Sequence, residues 1–272
     1  MTCYATLAQL RKRNQVDDAE TGDDQRYMEK LRTASAAIDG YCHRSFQPVQ
    51  GTQQFDYECD TYLSFKSRDL LALTSISDNA HAISPSSLTL IGAGPYYAAE
   101  MIEGLDTFQW SNTKRKAISV VGPWGWHNDY GNAWRACNLT GTLDANTGAI
   151  TFSADPATTA DAWGMKPAVS AGDLVECESE WLQVMSVTGS AGTVLRGQNG
   201  TTAAAHSAKA LRVYKPTQQV IEACLTWAAY LVTRDDADDN SVKITGAGDK
   251  ILPPGFPKRI FDLLDALVNT RV

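Results

Sequence analysis

A periodic apolar stripe near the start of the chain limits what the rest can be. Tyr27, Met28, Leu31, Ala34, Ser35, Ile38, Tyr41 and Cys42 recur at helical spacing and line one face of a helix that closes near Phe46. A shorter helical segment, Thr6-Leu7-Ala8-Gln9-Leu10-Arg11, precedes it, and the acidic stretch 17–24 separates the two. A single amphipathic helix cannot bury its own stripe, so this one demands partners. Helical spacing returns only near the other end. Val220, Ile221, Cys224, Leu225, Ala228, Leu231 and Val232 mark a helix from 217 to about 234. Ile260, Phe261, Leu263, Leu264, Leu267 and Val268 mark a last one from about 257 to 268.

Between these ends the chain reads as β. Short runs rich in β-branched and aromatic residues, such as 53–57, 62–65, 88–91 and 117–121, are bounded by Gly, Pro, Asn or Ser. The expected fold is therefore α+β. A terminal bundle of about four helices, from 1–46 and 215–272, carries inserted antiparallel β material. The first insert, 47–126, closes at Trp124-Gly125-Trp126. The second, 127–214, is a small barrel or sandwich. Two of its strands hinge near Ser179, a third spans 192–195 and a fourth 210–214. The opening stripe is expected to pack on the 220–232 face.

Composition narrows the function. Lys and Arg number 24 against 31 Asp and Glu, a net charge of −7, which argues against an extended grip on nucleic acid. No secretory signal opens the chain, and no apolar run approaches the roughly 18 residues of a membrane span. The six cysteines are scattered without a CxxC pair and read as reduced thiols of a cytosolic product. The four histidines, His43, His81, His127 and His206, are isolated, so neither a metal site nor a cofactor is expected. Gly92-Ala93-Gly94-Pro95 and Gly246-Ala247-Gly248 lack the spacing of nucleotide loops.

Three further features invite chemistry and have plainer readings. Glu176, Glu178 and Glu180 alternate as a solvated strand face would; the competing reading is a hydrolase or divalent-ion site. Trp124, Trp126 and Trp134 with Tyr130 suit core or interface packing; the alternative is a ligand- or carbohydrate-binding platform on a helical mount. The basic runs 11–13 and 114–116 suit solvation or ionic contacts with acidic neighbours more than phosphate binding. The acidic run Asp235, Asp236, Asp238, Asp239 reads as an exposed loop.

Several of these segments together resemble the head–tail connector (adaptor) proteins of long-tailed bacteriophages. They are the acidic break, the helix end Ile38-Asp39-Gly40-Tyr41-Cys42-His43-Arg44-Ser45-Phe46, the β segment 70–79, the 118–126 closure and the closing helix pair. The likeness covers about 1–126 and 215–272. The 127–214 block departs from it, since shorter members lack that block. Its stretch Arg196-Gly197-Gln198-Asn199-Gly200-Thr201-Thr202-Ala203-Ala204-Ala205-His206 resembles one that recurs in β modules of phage structural proteins.

The resemblance implies a structural, non-enzymatic virion protein of the neck, assembled in the host cytoplasm. Such a protein forms a homo-oligomeric ring, usually of twelve subunits, between the capsid portal and the next neck, head-closure or tail protein. Viral double-stranded DNA passes through the lumen during ejection without sequence-specific binding, and no membrane is involved. The expected portal-facing residues are Phe256, Ile260, Leu263, Leu264, Leu267 and Val268. Asp235, Asp236, Asp238 and Asp239 are expected to face the channel, where negative charge lets DNA slide.

Overall fold

The computed structural model describes residues 3–17, 20–236, 243–244, 250–251 and 257–270. Phe256, Asp238, Asp239 and the 246–248 glycine segment lie outside them. Among the described residues the fold is mixed α+β, with four α-helices and antiparallel sheets that include a closed six-stranded barrel.

Helix α1 (Leu7–Arg13) starts at a capping box in which the Thr6 and Gln9 side chains each bond the other's backbone N–H. Helix α2 (Asp24–Cys42) ends where His43 turns left-handed, at φ 53°. Helices α3 (Gln218–Asp236) and α4 (Arg259–Leu264) follow the β region, and α4 tightens into a 3-10 turn, Asp265–Leu267. The last helix is thus shorter than its apolar pattern suggests. The opening stripe does meet the distant helix. Leu31, Ala34, Ile38 and Cys42 share one core with Val220, Cys224, Ala228 and Val232, and Ile260, Leu264 and Leu267 complete it. The Leu, Ile and Val side chains among these each contribute about 1.5–3 kcal/mol on burial.

The first β unit holds two sheets over one core. Strand β1 (Val49–Phe55) pairs with β7 (Ile118–Trp124), which pairs with β3 (Ser75–Asp78), which pairs with β4 (Ala82–Ile83). The second sheet is β2 (Tyr62–Ser64), β6 (Ala98–Met101) and β5 (Leu88–Ile91). Phe55, Phe65, Ile118, Val120 and Trp124 fill the space between.

The barrel runs β10 (Leu174–Cys177), β11 (Glu180–Thr188), β12 (Ala191–Leu195), β9 (Ala149–Phe152), β8 (Trp134–Leu143) and β13 (His206–Tyr214), and β13 closes on β10. The hinge near Ser179 is a two-residue turn between β10 and β11. Strands β8 and β9 were not anticipated, and β13 starts four residues before the expected 210. Gly141 matters in β8, because a Cβ there would come within 3.1 Å of both Leu211 methyl groups.

Phe46 is where the three parts meet. Its N–H donates to the Tyr4 hydroxyl at 2.9 Å, and its C=O accepts from the Tyr214 hydroxyl at 2.8 Å. Its ring stands edge-on to Tyr4 and to Trp126, at 5.7 and 5.6 Å. Tyr4, Phe46 and Tyr214 are all buried. Tyr4 donates its own hydroxyl to Asp39 of α2, whose carboxyl burial pushes up to about 6. Gln47 donates through Nε2 to the Cys3 carbonyl at 2.8 Å, and Leu7 donates its N–H to the carbonyl of Ala171, in the loop before β10, at 3.0 Å.

An orphaned buried backbone group costs about 1–3 kcal/mol. Tyr214→Phe strands the Phe46 carbonyl without filling or emptying space. It is expected to lower unfolding free energy by that amount in urea denaturation, while Tyr130→Phe, which removes only a contact to Trp134, costs less. Equal losses would contradict the junction.

Candidate functional site

The densest polar cluster lies on the barrel and is built around a glutamate. Because the β10–β11 turn intervenes, Glu180 pairs across the hairpin with Cys177 and lies on the same inward side. Its side chain is fully buried. Arg196 grips it with two N–H···O bonds of 2.7 Å, from Nε and Nη2. The N–H groups of Gly197 (2.9 Å) and Ala204 (3.1 Å) donate to it, and His206 Nε2 lies 2.9 Å from the same carboxylate. His206 Nδ1 lies 2.8 Å from Glu178. Burial pushes the Glu180 carboxyl up, but Arg196, the two amides and His206 outweigh it and hold it at about 2.

The solvated-face reading of the three glutamates is therefore wrong for Glu180. Glu176 pairs with Arg212, and Glu178 sits in the turn at φ 55°. The cluster also explains the 196–206 stretch. Arg196, Gly197, Ala204 and His206 are the four contacts on Glu180, and the loop between them wraps over it. Its tip then leaves the barrel. Asn199 donates through Nδ2 to the Pro48 carbonyl at 3.0 Å. Gly200 lies so close to β1 that a Cβ there would fall 2.0 Å from the Gln50 carbonyl, and its φ is +85°. Every oxygen of Glu180 is engaged, so the arrangement ties a loop rather than presenting a reactive carboxylate.

A second histidine cluster joins two loops. His81 Nδ1 is 3.1 Å from Asp78 and Nε2 is 3.1 Å from Asp106. The hydrogen bond to Asp106 raises its pKa against a smaller desolvation effect. No nucleophilic side chain contacts this ring in the described residues. The site fastens the 103–111 loop, whose Gln109 N–H also donates to Asp78 at 2.7 Å. Among the described residues, no group of three or more His, Cys, Asp or Glu could hold a metal ion, and all six cysteines are free thiols. No helix among them is long and apolar enough to cross a membrane.

The tryptophans of the supposed platform are packed. Trp124 lies against Phe55 and Phe65, Trp126 against Phe46, and Trp134 between Trp181 and Tyr214, donating to the Tyr130 hydroxyl. The exposed aromatics are elsewhere. Trp163 is 63% exposed beside Met165 at 60%, and Leu105 is 60% exposed on the loop that carries Trp110.

The expected portal-facing set divides. Ile260, Leu264 and Leu267 are buried against the other helices, so they are core residues and not a docking face. Leu263 and Val268 are half-buried, and Phe261 lies at the surface in a tilted ring contact with Tyr41 at 5.1 Å. Of the acidic run, Asp235 is exposed and pairs with Lys30 at 2.5 Å, and Asp236 ends α3.

The depressed Glu180 carboxyl sets the sign of a pH effect. Its stabilisation is present above the ordinary carboxylate pKa and fades as pH falls through about 4 towards 2. Breaking a buried pair by removing one charge costs about 3–5 kcal/mol. Glu180→Gln is expected to destabilise by that order at pH 7 and to flatten the loss of stability between pH 5 and 2. An unchanged acid slope in chemical denaturation would show that Glu180 is not the responsible group. Comparison with known protein families, curated proteins and solved structures finds no match for the chain.

Proposed function

We propose that this protein is a structural neck adaptor of a long-tailed bacteriophage virion, working as a ring between the portal and the next neck or tail protein. The observation that carries the reading is an asymmetry of exposed apolar surface on a doubly tethered frame. Helices from both ends of the chain close on one core, as a terminal bundle would, and the two β units hang from it. Among the large apolar side chains left exposed, Leu105 with Trp110 on the first β unit and Trp163 with Met165 beside the barrel form two unlike groups. A ring needs two different complementary patches, because its contacts are heterologous. A twofold dimer needs only one.

In this reading the units are 1–46 with 215–272, 47–126 and 127–214, and the work done is assembly. The portal side is the outer face of the C-terminal segment, where Leu263 and Val268 of the expected set are only half-buried and Phe261 joins them at the surface. The net charge of −7 keeps duplex DNA from adhering as it passes. The carbohydrate-platform alternative loses its residues, since Trp124, Trp126 and Trp134 are committed to packing.

Native mass measurement of the purified chain, alone and with its cognate portal, tests this. The expected result is a monomer that joins the portal in twelve copies, and Phe261→Asp is expected to reduce that occupancy severalfold. A monomer that ignores the portal would overturn the proposal.

A further inference from the structure

The helical core and the barrel core stay separate. Leu7 and Met28 pack with the first, Val169 and Val187 with the second, and a cleft of about 950 Å³ opens between them. Clefts of about 300–1,000 Å³ bury most of the surface of a drug-sized ligand, which is the size of a short peptide turn. Arg32 of α2 and Met185 of β11 line the same cleft. Arg32 is half-buried and donates through Nη2 to the Met185 sulfur at 3.5 Å, a weak acceptor. It also faces the Cys3 thiol. Burial pushes that thiol up to about 11 although Arg32 pulls the other way, so the sulfur is neutral at pH 7. Neither sulfur balances the guanidinium charge.

The cleft's own carboxylates are engaged elsewhere. Asp24 accepts from Arg11 Nε at 2.8 Å, Glu29 accepts from Gln25 Nε2 at 3.2 Å, and Asp155 accepts the Ala157 N–H at 2.9 Å. Among the described residues Arg32 makes no ion pair. A guanidinium held in a half-buried cleft gains most from a carboxylate that meets its planar fork of donors. Apolar walls around such a cation fit a partner that carries aliphatic side chains beside one free carboxylate. The 161–170 loop, which presents Trp163 and Met165 to solvent, supplies part of the same wall through Val169.

The first β unit carries that combination. Ile102-Glu103-Gly104-Leu105 is a four-residue turn, closed by the Leu105 N–H on the Ile102 carbonyl at 3.1 Å, with Gly104 at φ +79°. Ile102 is 39% exposed and Leu105 60%. Glu103 between them is exposed and has no hydrogen bond or ion pair from its carboxylate. Among the described residues, only this turn sets a free carboxylate between two exposed aliphatic side chains. Both flanks are anchored: the Ile102 N–H donates to the Ser87 carbonyl at 2.9 Å, and Asp106 meets His81 at 3.1 Å. The turn is thus fixed in solvent and fills no cleft of its own subunit. We infer that the Ile102-Glu103-Gly104-Leu105 turn of one copy of the chain enters the Arg32 cleft of a second copy, with the Glu103 carboxylate on the Arg32 guanidinium. Knob and cleft are different surfaces, so the contact is heterologous and propagates around a ring. The inference rests on the ring reading and names the two surfaces that meet at each seam.

A charge exchange in the portal-assembled protein, read by native mass measurement of ring occupancy, tests it. Glu103→Arg, on an exposed turn where folding is not at stake, is expected to weaken ring formation by about tenfold or more, and Arg32→Glu to do the same. Both substitutions in one chain exchange the two charges at every seam and are expected to restore the ring to within severalfold of the unsubstituted protein, which separates lost contact from misfolding. A ring that tolerates Glu103→Arg, or single losses that the double substitution does not repair, overturns the inference and leaves the adaptor reading standing. An intact ring that fails only to take up the next neck protein assigns the turn to that partner and overturns the inference as well. Absence of any ring from the unsubstituted chain and its portal overturns both readings.

Discussion

The backbone of Phe46 is the point on which the rest of the structure depends. It follows the last turn of α2 and precedes β1, where the chain leaves the helices for the sheets. Both its main-chain groups are buried and outside any ladder, so each needs a partner that is not secondary structure. Tyr4 supplies the acceptor from the segment before α1, and Tyr214 supplies the donor from the last residue of the barrel. Residues at 4, 46 and 214 are thereby fixed together. This sets how the helical core, the first β unit and the barrel can lie relative to one another. The Phe46 ring, held between Tyr4 and Trp126, adds directional aromatic contact to the same point.

A second tie acts from the opposite direction. The loop after β12 is drawn over Glu180 by charge and amide bonds, and its Asn199-Gly200 tip reaches β1. The barrel is thus held at its last strand by Tyr214 and at its loop by Asn199. Burying polar groups in matched sets stiffens such joints, a property the proposed adaptor role would require.

The helical part of this arrangement was legible in the sequence because a 3.6-residue period survives any tertiary context. The stripe from Tyr27 to Cys42 and its match in 220–232 needed only counting. The barrel was half legible. Its β10–β11 hairpin stood out by β-branched content, but β8 hides an inward alternation of Cys137, Leu139, Gly141 and Leu143 behind a glycine and an Asn138 at φ 56°. Glu180 was misplaced for a related reason. Alternation from Glu176 assumes one continuous strand, and the turn at Glu178 resets which side faces inward. Tyr4 carried a weak signal, an apolar segment ahead of the Thr6 capping box. The cluster at Glu180 joins the start of β11 to the 196–206 loop, and that pairing of a glutamate with a later loop is one no local pattern records.

The central claim is that the helices, the first β unit and the barrel are one locked frame rather than modules on hinges. Hydrogen exchange at the Phe46 amide tests it most directly, since this N–H is held only by the Tyr4 hydroxyl. A locked frame predicts that Phe46 exchanges only through global unfolding, at the same free energy as amides in the centres of α2 and β13. Exchange of Phe46 at a clearly lower free energy than those amides would show that the barrel and helices part without unfolding, and would contradict the account.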